Sequence, residues 1–231
     1  MTSSRRTDIL GAMVPPARST RAPSDDGAGL PPDSQLMHWL RNLLYLVLGA
    51  WLRLACRYQV EGREHLRGPG PKVFISNHSS HADPVVLLAA LPAALRNRCY
   101  SAAAEDYFYT NAFRRLAARL FANAFPFQRQ GAGAQASLAT AARILAQGNC
   151  LILYPEGTRT TTGRLQRFRK GIGLLVQGTD YPVVPVWIEG TYHMLRKGRW
   201  LPRIMPIRVR VGPPLRFAGA GPSDADAIAI A

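Results

Sequence analysis

Val73-Phe74-Ile75-Ser76-Asn77-His78-Ser79-Ser80-His81-Ala82-Asp83-Pro84 is an apolar run that stops abruptly at a polar turn and resumes at a helix start. Val73 to Ile75 reads as a strand. Asp83 before Pro84 reads as the start of a helix, because proline suits the first helical position. A histidine at a strand end, with an aspartate five residues later, suits a base and its orienting partner. The same grammar recurs at Cys150 to Leu153, an apolar run followed by Tyr154-Pro155-Glu156-Gly157-Thr158-Arg159. Two strands that each end in a charged cluster point to one active site built from two strand ends.

Outward from these strands the chain alternates. Strands are expected over 72–77, 97–103, 123–127, 150–154, 183–188 and 207–212, and helices over 83–91, 105–121, 134–147 and 168–178. Gly148-Asn149 closes the third of these helices just before the strand at Cys150. The alternation predicts an α/β fold: a single domain with a mixed, mostly parallel sheet flanked by helices. It is expected over residues 61–217. No internal repeat interrupts it.

Residues 1–34 are rich in Ser, Pro, Gly, Arg and Asp, lack any period and read as a disordered tail. Ile9 to Val14 is too short for the apolar core of a signal peptide and runs into Pro15-Pro16. Arg5, Arg6, Arg18 and Arg21 resemble a transit peptide, against which stand Asp8, Asp25 and Asp26. Residues 35–60 are helical: Leu40, Leu43, Leu44, Val47, Leu48, Trp51, Leu52 and Ala55 follow the helical repeat. The apolar run between Arg41 and Arg53 falls short of the roughly 20 residues that span a bilayer. With Trp39, Tyr45 and Trp51 inside it and arginines at its ends, the segment suits an amphipathic helix lying in a membrane interface. An ordinary amphipathic helix packed on the domain has the same pattern. At the other end, residues 218–231 form a separate segment, and Asp224 to Ala231 reads as a helix that stops early, as a truncated chain would.

The chain's 231 residues are 47% apolar and 19% charged, enough for one domain with a sizeable core. The net charge of +15 predicts an anionic partner: nucleic acid, an anionic membrane surface or a phosphorylated substrate. Much of it is arginine, which grips phosphate bidentately. Cys56, Cys99 and Cys150 sit in apolar surroundings with no CxxC spacing, and read as reduced core residues rather than a zinc site or disulfide framework.

His78 and Asp83 would stand at the sheet rim, where open α/β sheets bind ligands. The turn can bring the Asp83 carboxylate to the imidazole Nδ1, leaving Nε2 to take a proton, as in a Ser-His-Asp triad without the serine. Without an enzyme nucleophile, the base would act on a substrate hydroxyl or on water. The plainer reading is that Asp83 caps a helix and His78 is a satisfied rim histidine. Ser79 and Ser80 lie outside any G-x-S-x-G elbow. In the second cluster Gly157 permits close backbone approach, Arg159 can clamp a phosphate with Thr158 adding a donor, and Glu156 can bond a substrate hydroxyl or hold the arginine. As a surface ion pair, Glu156 and Arg159 would do neither. Phe125-Pro126-Phe127-Gln128-Arg129 supplies a third strand end with an arginine.

In this combination the chain resembles the glycerolipid acyltransferase family, which includes 1-acylglycerol-3-phosphate acyltransferases. The family's N-H-x4-D block is matched by Asn77, His78 and Asp83, and its F/Y-P-E-G-T-R block by Tyr154 to Arg159, residue for residue. Phe125 to Arg129 and Val184-Pro185-Val186 match its two weaker blocks, and all four fall in family order between about residues 60 and 215. The resemblance implies that His78 is a general base oriented by Asp83. The acceptor hydroxyl then attacks the thioester of acyl-CoA or acyl-carrier protein directly, with neither metal nor cofactor. It implies that Glu156, Gly157, Thr158 and Arg159, helped by Arg129, bind the glycerol-phosphate end of a lysophospholipid in phospholipid biosynthesis or remodelling. It also implies membrane association, expected at the cytoplasmic face of the inner membrane, where the positive charge meets anionic headgroups. The chain departs from the family where many members carry a phosphate-binding lysine: Ser101 to Asp106 holds no lysine and two acids, Glu105 and Asp106. That departure leaves the acceptor open between a lysophosphatidate, another lysolipid and another lipid alcohol or amine.

Two other classes compete. A thioesterase or lipid hydrolase would use the same His-Asp pair on water. A basic membrane- or nucleic-acid-binding module would need neither residue, but dispersed arginines without zinc-finger or RNP-type patterns argue against nucleic acid.

Overall fold

The computed structural model describes residues 33–129, 131–199, 201–221 and 224. The tail expected over 1–34 lies outside them except for Asp33 and Ser34, as does most of the segment 218–231.

Helix α1 (Gln35–Ala55) opens at Ser34, whose side chain accepts a hydrogen bond from the Met37 N–H at 3.2 Å. There follow β1 (Gln59–Glu61), β2 (Val73–Ser76), α2 (Asp83–Ala90), α3 (Ala93–Arg96), β3 (Cys99–Ala104) and α4 (Glu105–Phe108). The second half holds α5 (Ala112–Ala122), β4 (Ala124–Phe127), α6 (Ala132–Ala146), β5 (Cys150–Leu153), α7 (Gly171–Val176), β6 (Val183–Glu189), α8 (Thr191–Leu195) and β7 (Arg208–Val211). The seven strands form one sheet in the order β1-β7-β6-β2-β5-β3-β4. Every pairing is parallel except β6 with β7. The sheet is therefore mixed and mostly parallel, with helices on both faces, as the alternation predicts.

Strand β5 is buried at all four positions because both of its faces are covered. Its residues divide by parity. Ile152, with Phe74 of β2, joins one buried cluster with Leu52, Leu87 and Val209, whereas Leu151 and Val73 join the other with Phe125, Ile144 and Leu175. This two-sided core fixes β2 and β5 side by side, in the register Val73 to Leu151 and Ile75 to Leu153. Their carboxyl ends thus emerge together at the rim.

Several expectations are corrected in detail. The helix expected over 105–121 is two helices: the chain turns at Tyr109 and Thr110, and Asn111 caps α5 by accepting from the Arg114 N–H at 2.8 Å. The helix expected over 168–178 is confined to α7. Strand β1 was not expected, being three residues with only one partner strand among the described residues. In α1 only part of the apolar stripe read from the repeat packs: Leu48, Leu52 and Ala55 meet the core. Arg41, Tyr45, Gly49 and Leu52 are buried, while Leu40, Leu43 and Val47 are exposed along with Leu36, Trp39, Leu46 and Leu54. The packed face turns on a buried ion pair. Arg41 donates to Asp33 Oδ2 at 2.6 Å and to the Arg119 carbonyl at 3.1 Å, and Arg119 donates to Asp33 Oδ1 at 2.8 Å. Tyr45 donates to the Phe121 carbonyl at 2.5 Å, so α1 grips the last turn of α5 through polar contacts.

Candidate active site

The rim turn after β2 is held from four directions. Asn77 sits against β6, donating to the Ile188 carbonyl at 2.9 Å and accepting from the Ile188 N–H at 2.8 Å, which locks the strand end like an extra rung of the sheet. His78 donates its backbone N–H to Glu156 Oε1 at 2.6 Å and accepts at its carbonyl from the Thr160 N–H at 2.8 Å. Its ring lies over Tyr154, with centroids 4.0 Å apart and planes at 22°. Its Nδ1 meets Asp83 Oδ2 at 2.9 Å. Two strand ends thus converge on one imidazole, and both the ring plane and its rotation are fixed.

Asp83 is fully buried, while the His78 side chain retains 19% exposure. Oδ2 of Asp83 also accepts from the N–H groups of Ser79 at 2.7 Å and Ser80 at 2.8 Å. The carboxylate therefore does not cap the helix that follows; it folds the turn back on itself and keeps the proton on Nδ1. Nε2 is left for chemistry, and His78 lines a cavity of about 930 Å³. The neighbouring hydroxyls are already engaged. Ser79 Oγ bonds Thr191 Oγ1 at 3.0 Å, and Ser80 Oγ donates to the Leu195 carbonyl at 2.8 Å. The Cys99 and Cys150 thiols are buried, and burial pushes both up from the ordinary thiol range. No enzyme nucleophile stands beside the imidazole among the described residues.

The second cluster divides. Gly157, Thr158 and Arg159 line the cavity, with Arg129 across from them. Arg159 has no hydrogen-bond or ion-pair partner among the described residues. Arg129 donates to the Gly157 carbonyl at 3.1 Å and pairs with Asp106 at 3.2 Å. Glu156 lies behind the cavity wall. It is 3% exposed, with Oε1 on the His78 N–H and Oε2 on the Gln166 N–H at 3.0 Å. The expectation that it touches the substrate, or holds Arg159, gives way to a positioning role, since both oxygens are spent on backbone amides that hold the two turns together.

Sequence reasoning missed four participants. Asn77 was read only as a motif letter and Tyr154 only as an aromatic one, yet they fix the turn and the ring. Arg169 lies outside every motif read from the sequence, but its side chain lies against the Cα of Gly157, where a Cβ would fall 2.5 Å from Nε. Gly157 adopts φ +70° there, a conformation that favours glycine, and a Cβ would also displace the Arg169 side chain. His81 faces the cavity and stacks on Tyr107, with centroids 5.2 Å apart. Burial, then the nearby Arg159 and His78, hold it down to about 4, so its ring is neutral at neutral pH. Away from these polar groups the cavity is apolar, walled by Phe121, Phe127, Leu138, Leu153 and Ile172 among small alanines. Among the described residues no group of three or more His, Cys, Asp and Glu side chains is placed to hold a metal ion.

The chain as a whole has known relatives. The family model described as Acyltransferase matches residues 57–189. A 1-acyl-sn-glycerol-3-phosphate acyltransferase of Limnanthes alba is 31% identical over 183 residues, covering 76% of this chain and 61% of that protein. The Mus musculus 1-acyl-sn-glycerol-3-phosphate acyltransferase alpha is 27% identical over 192 residues, covering 82% of this chain and 66% of that one. The chain thus spans less than two thirds of the length of these relatives. Among solved structures, the 1-acyl-sn-glycerophosphate (LPA) acyltransferase PlsC from Thermotoga maritima superposes with a TM-score of 0.65. It is 23% identical and covers 84% of this chain and 75% of that one. The likeness to PlsC is one of fold.

Proposed function

The chain belongs to the acyltransferase family, and from that premise we propose that it moves a fatty acyl group from acyl-CoA or acyl-carrier protein to a lysophospholipid hydroxyl, with 1-acylglycerol-3-phosphate as the reference acceptor. The observation that carries this is the 2.9 Å contact between His78 Nδ1 and Asp83 Oδ2 at the wall of the cavity, where the adjacent Ser79 and Ser80 hydroxyls are engaged elsewhere. Nε2 takes the proton of the acceptor hydroxyl as its oxygen attacks the thioester carbonyl carbon. Asp83 supports the imidazolium that forms. Collapse of the tetrahedral intermediate breaks the C–S bond, and the leaving sulfur recovers the proton from Nε2. No acyl-enzyme forms. The apolar arm of the cavity suits a fatty chain, and Arg159 suits the acceptor's phosphate.

The outward side of α1 fits the interface of an anionic membrane, on the cytoplasmic face of the inner membrane. Trp39 is 73% exposed and Leu46 71%. On α5, exposed Phe113 and Leu116 stand beside exposed Arg114 and Arg115, continuing that apolar, basic surface. No helix among the described residues is long and apolar enough to cross a membrane.

The test is acyl transfer from labelled acyl-CoA to lysophospholipids by the detergent-solubilised chain. His78→Ala is expected to lower turnover by about 10³-fold, and Asp83→Asn to remove most activity while the fold persists. Thioester cleavage that needs no acceptor would establish the hydrolase instead, and unimpaired transfer by His78→Ala would remove the base.

A further inference from the structure

The cavity lined by His78 is lined by a second imidazole, that of His81, three residues further along the same turn. Its backbone is tied on both flanks. The Ser80 N–H before it goes to Asp83 Oδ2 at 2.8 Å, and the Ala82 N–H after it goes to Ser80 Oγ at 3.0 Å. Its ring is held by two aromatic side chains of α4. It stacks on Tyr107 with centroids 5.2 Å apart and planes at 20°, and stands at 83° to Phe108 with centroids 5.3 Å apart. Neither ring nitrogen has a hydrogen-bond or ion-pair partner among the described residues. A phenyl ring would serve packing on Tyr107 equally well. A half-buried imidazole fixed in this way, with its nitrogens unspent, is arranged for a polar group that enters the cavity.

Its surroundings also set the form in which it acts. Burial, then Arg159 and His78, hold it down to about 4, and Asp83 opposes them only in part. The neutral ring keeps one N–H to donate, and it is too weak a base to compete with His78 for the acceptor's proton.

The transfer reaction creates a charge to which no residue has been assigned. As the acceptor oxygen attacks the thioester carbon, the π electrons of the carbonyl move onto its oxygen, and an oxyanion forms beside His78. Backbone amides often receive such a charge. Here those of the turn are occupied: the Ser79 and Ser80 N–H groups both go to Asp83, and the Thr160 N–H goes to the His78 carbonyl. Resting on the acyltransferase reading above, we propose that His81 is a further catalytic residue, whose ring N–H bonds the thioester carbonyl oxygen as the tetrahedral intermediate forms. On collapse the electron pair returns to the C=O bond, the C–S bond breaks, and the leaving sulfur takes the proton held by His78. The His81 proton stays on its own nitrogen throughout.

The experiment measures acyl transfer from labelled acyl-CoA to lysophosphatidate by the full chain, His81→Phe and His81→Gln. The first variant keeps an aromatic ring against Tyr107 and loses the N–H; the second loses the ring and keeps an N–H. His81→Phe is expected to lower kcat by about 10²-fold with both KM values unchanged, because the oxyanion exists only beyond the ground state. His81→Gln should recover part of that loss. The loss should be the same from about pH 6 to pH 9, since a neutral ring neither gains nor gives up a proton there. Unimpaired turnover by His81→Phe, or full turnover restored by the ring and none by the amide, would make His81 a packing residue and overturn the assignment. A rise in the acceptor KM alone would overturn it by placing His81 at the acceptor's ground-state binding site, and a loss that varied across that pH range would make it a proton carrier. Each of these leaves the acyltransferase reading intact. If the full chain acylates no acceptor, that reading falls and the assignment falls with it.

Discussion

At the scale of single residues, the distribution of hydrogen bonds separates groups that do chemistry from groups that hold them. His78 and Asp83 form the proposed working pair, and Glu156 ties the His78 backbone to the turn after β5. Glu156→Gln replaces one accepting oxygen by an amide NH2 that faces a backbone N–H. It should lower kcat by about tenfold or more, the worth of a charge-assisted bond, with little change in acceptor KM. Steady-state kinetics that showed a KM effect alone would return Glu156 to the substrate. Gly157→Ala forces a Cβ at φ +70° onto Arg169. It should cost about 1–2 kcal/mol in urea unfolding and raise the acceptor KM, because a left-handed alanine is strained and the guanidinium must move. The sequence made His78 and Asp83 legible because their spacing is local and one turn brings them together. It could not show Glu156 reaching back to His78, since that contact joins two strand ends and exists only once β2 and β5 are paired.

At the scale of elements, long apolar runs gave the central strands, and errors arose where a polar group decides the local structure. Asn111 splits a helix by capping its second half, and Asp33 turns α1 by neutralising the buried Arg41. Burial pushes the Asp33 carboxyl up, but the Arg41 and Arg119 guanidiniums outweigh it and hold it below its ordinary value. A carboxylate depressed in the folded state adds stability that is complete above its unfolded value and fades as pH falls through the folded one. The α1–α5 clamp should therefore be at full strength above about pH 4 and weaken below it. Asp33→Asn should melt at lower temperature than the parent at pH 7, with the gap closing toward pH 3. A gap that did not depend on pH would mean that the clamp works by packing alone.

For the whole molecule, the net charge of +15 and the exposed apolar side of α1 bear together on the proposed membrane contact. Binding to vesicles containing phosphatidylglycerol should weaken steeply with salt, because each Lys or Arg near the surface adds about 1 kcal/mol and salt screens that attraction. Trp39→Asp with Leu43→Asp should release the chain from such vesicles in a flotation assay while its circular dichroism stays unchanged. Retention of the doubly substituted chain would place the contact elsewhere. Fold class was legible from the alternation of runs, but strand order was not, because nothing local tells β1 which strand it will meet. Among the described residues its partner is β7, and β1 has no other. That pairing sets a schedule for synthesis. At 5–20 residues per second, Gln59 to Glu61 must wait on the order of ten seconds before Arg208 to Val211 exist to receive them. During that interval β1 has no strand beside it, so in the cell this edge of the sheet is the last to close.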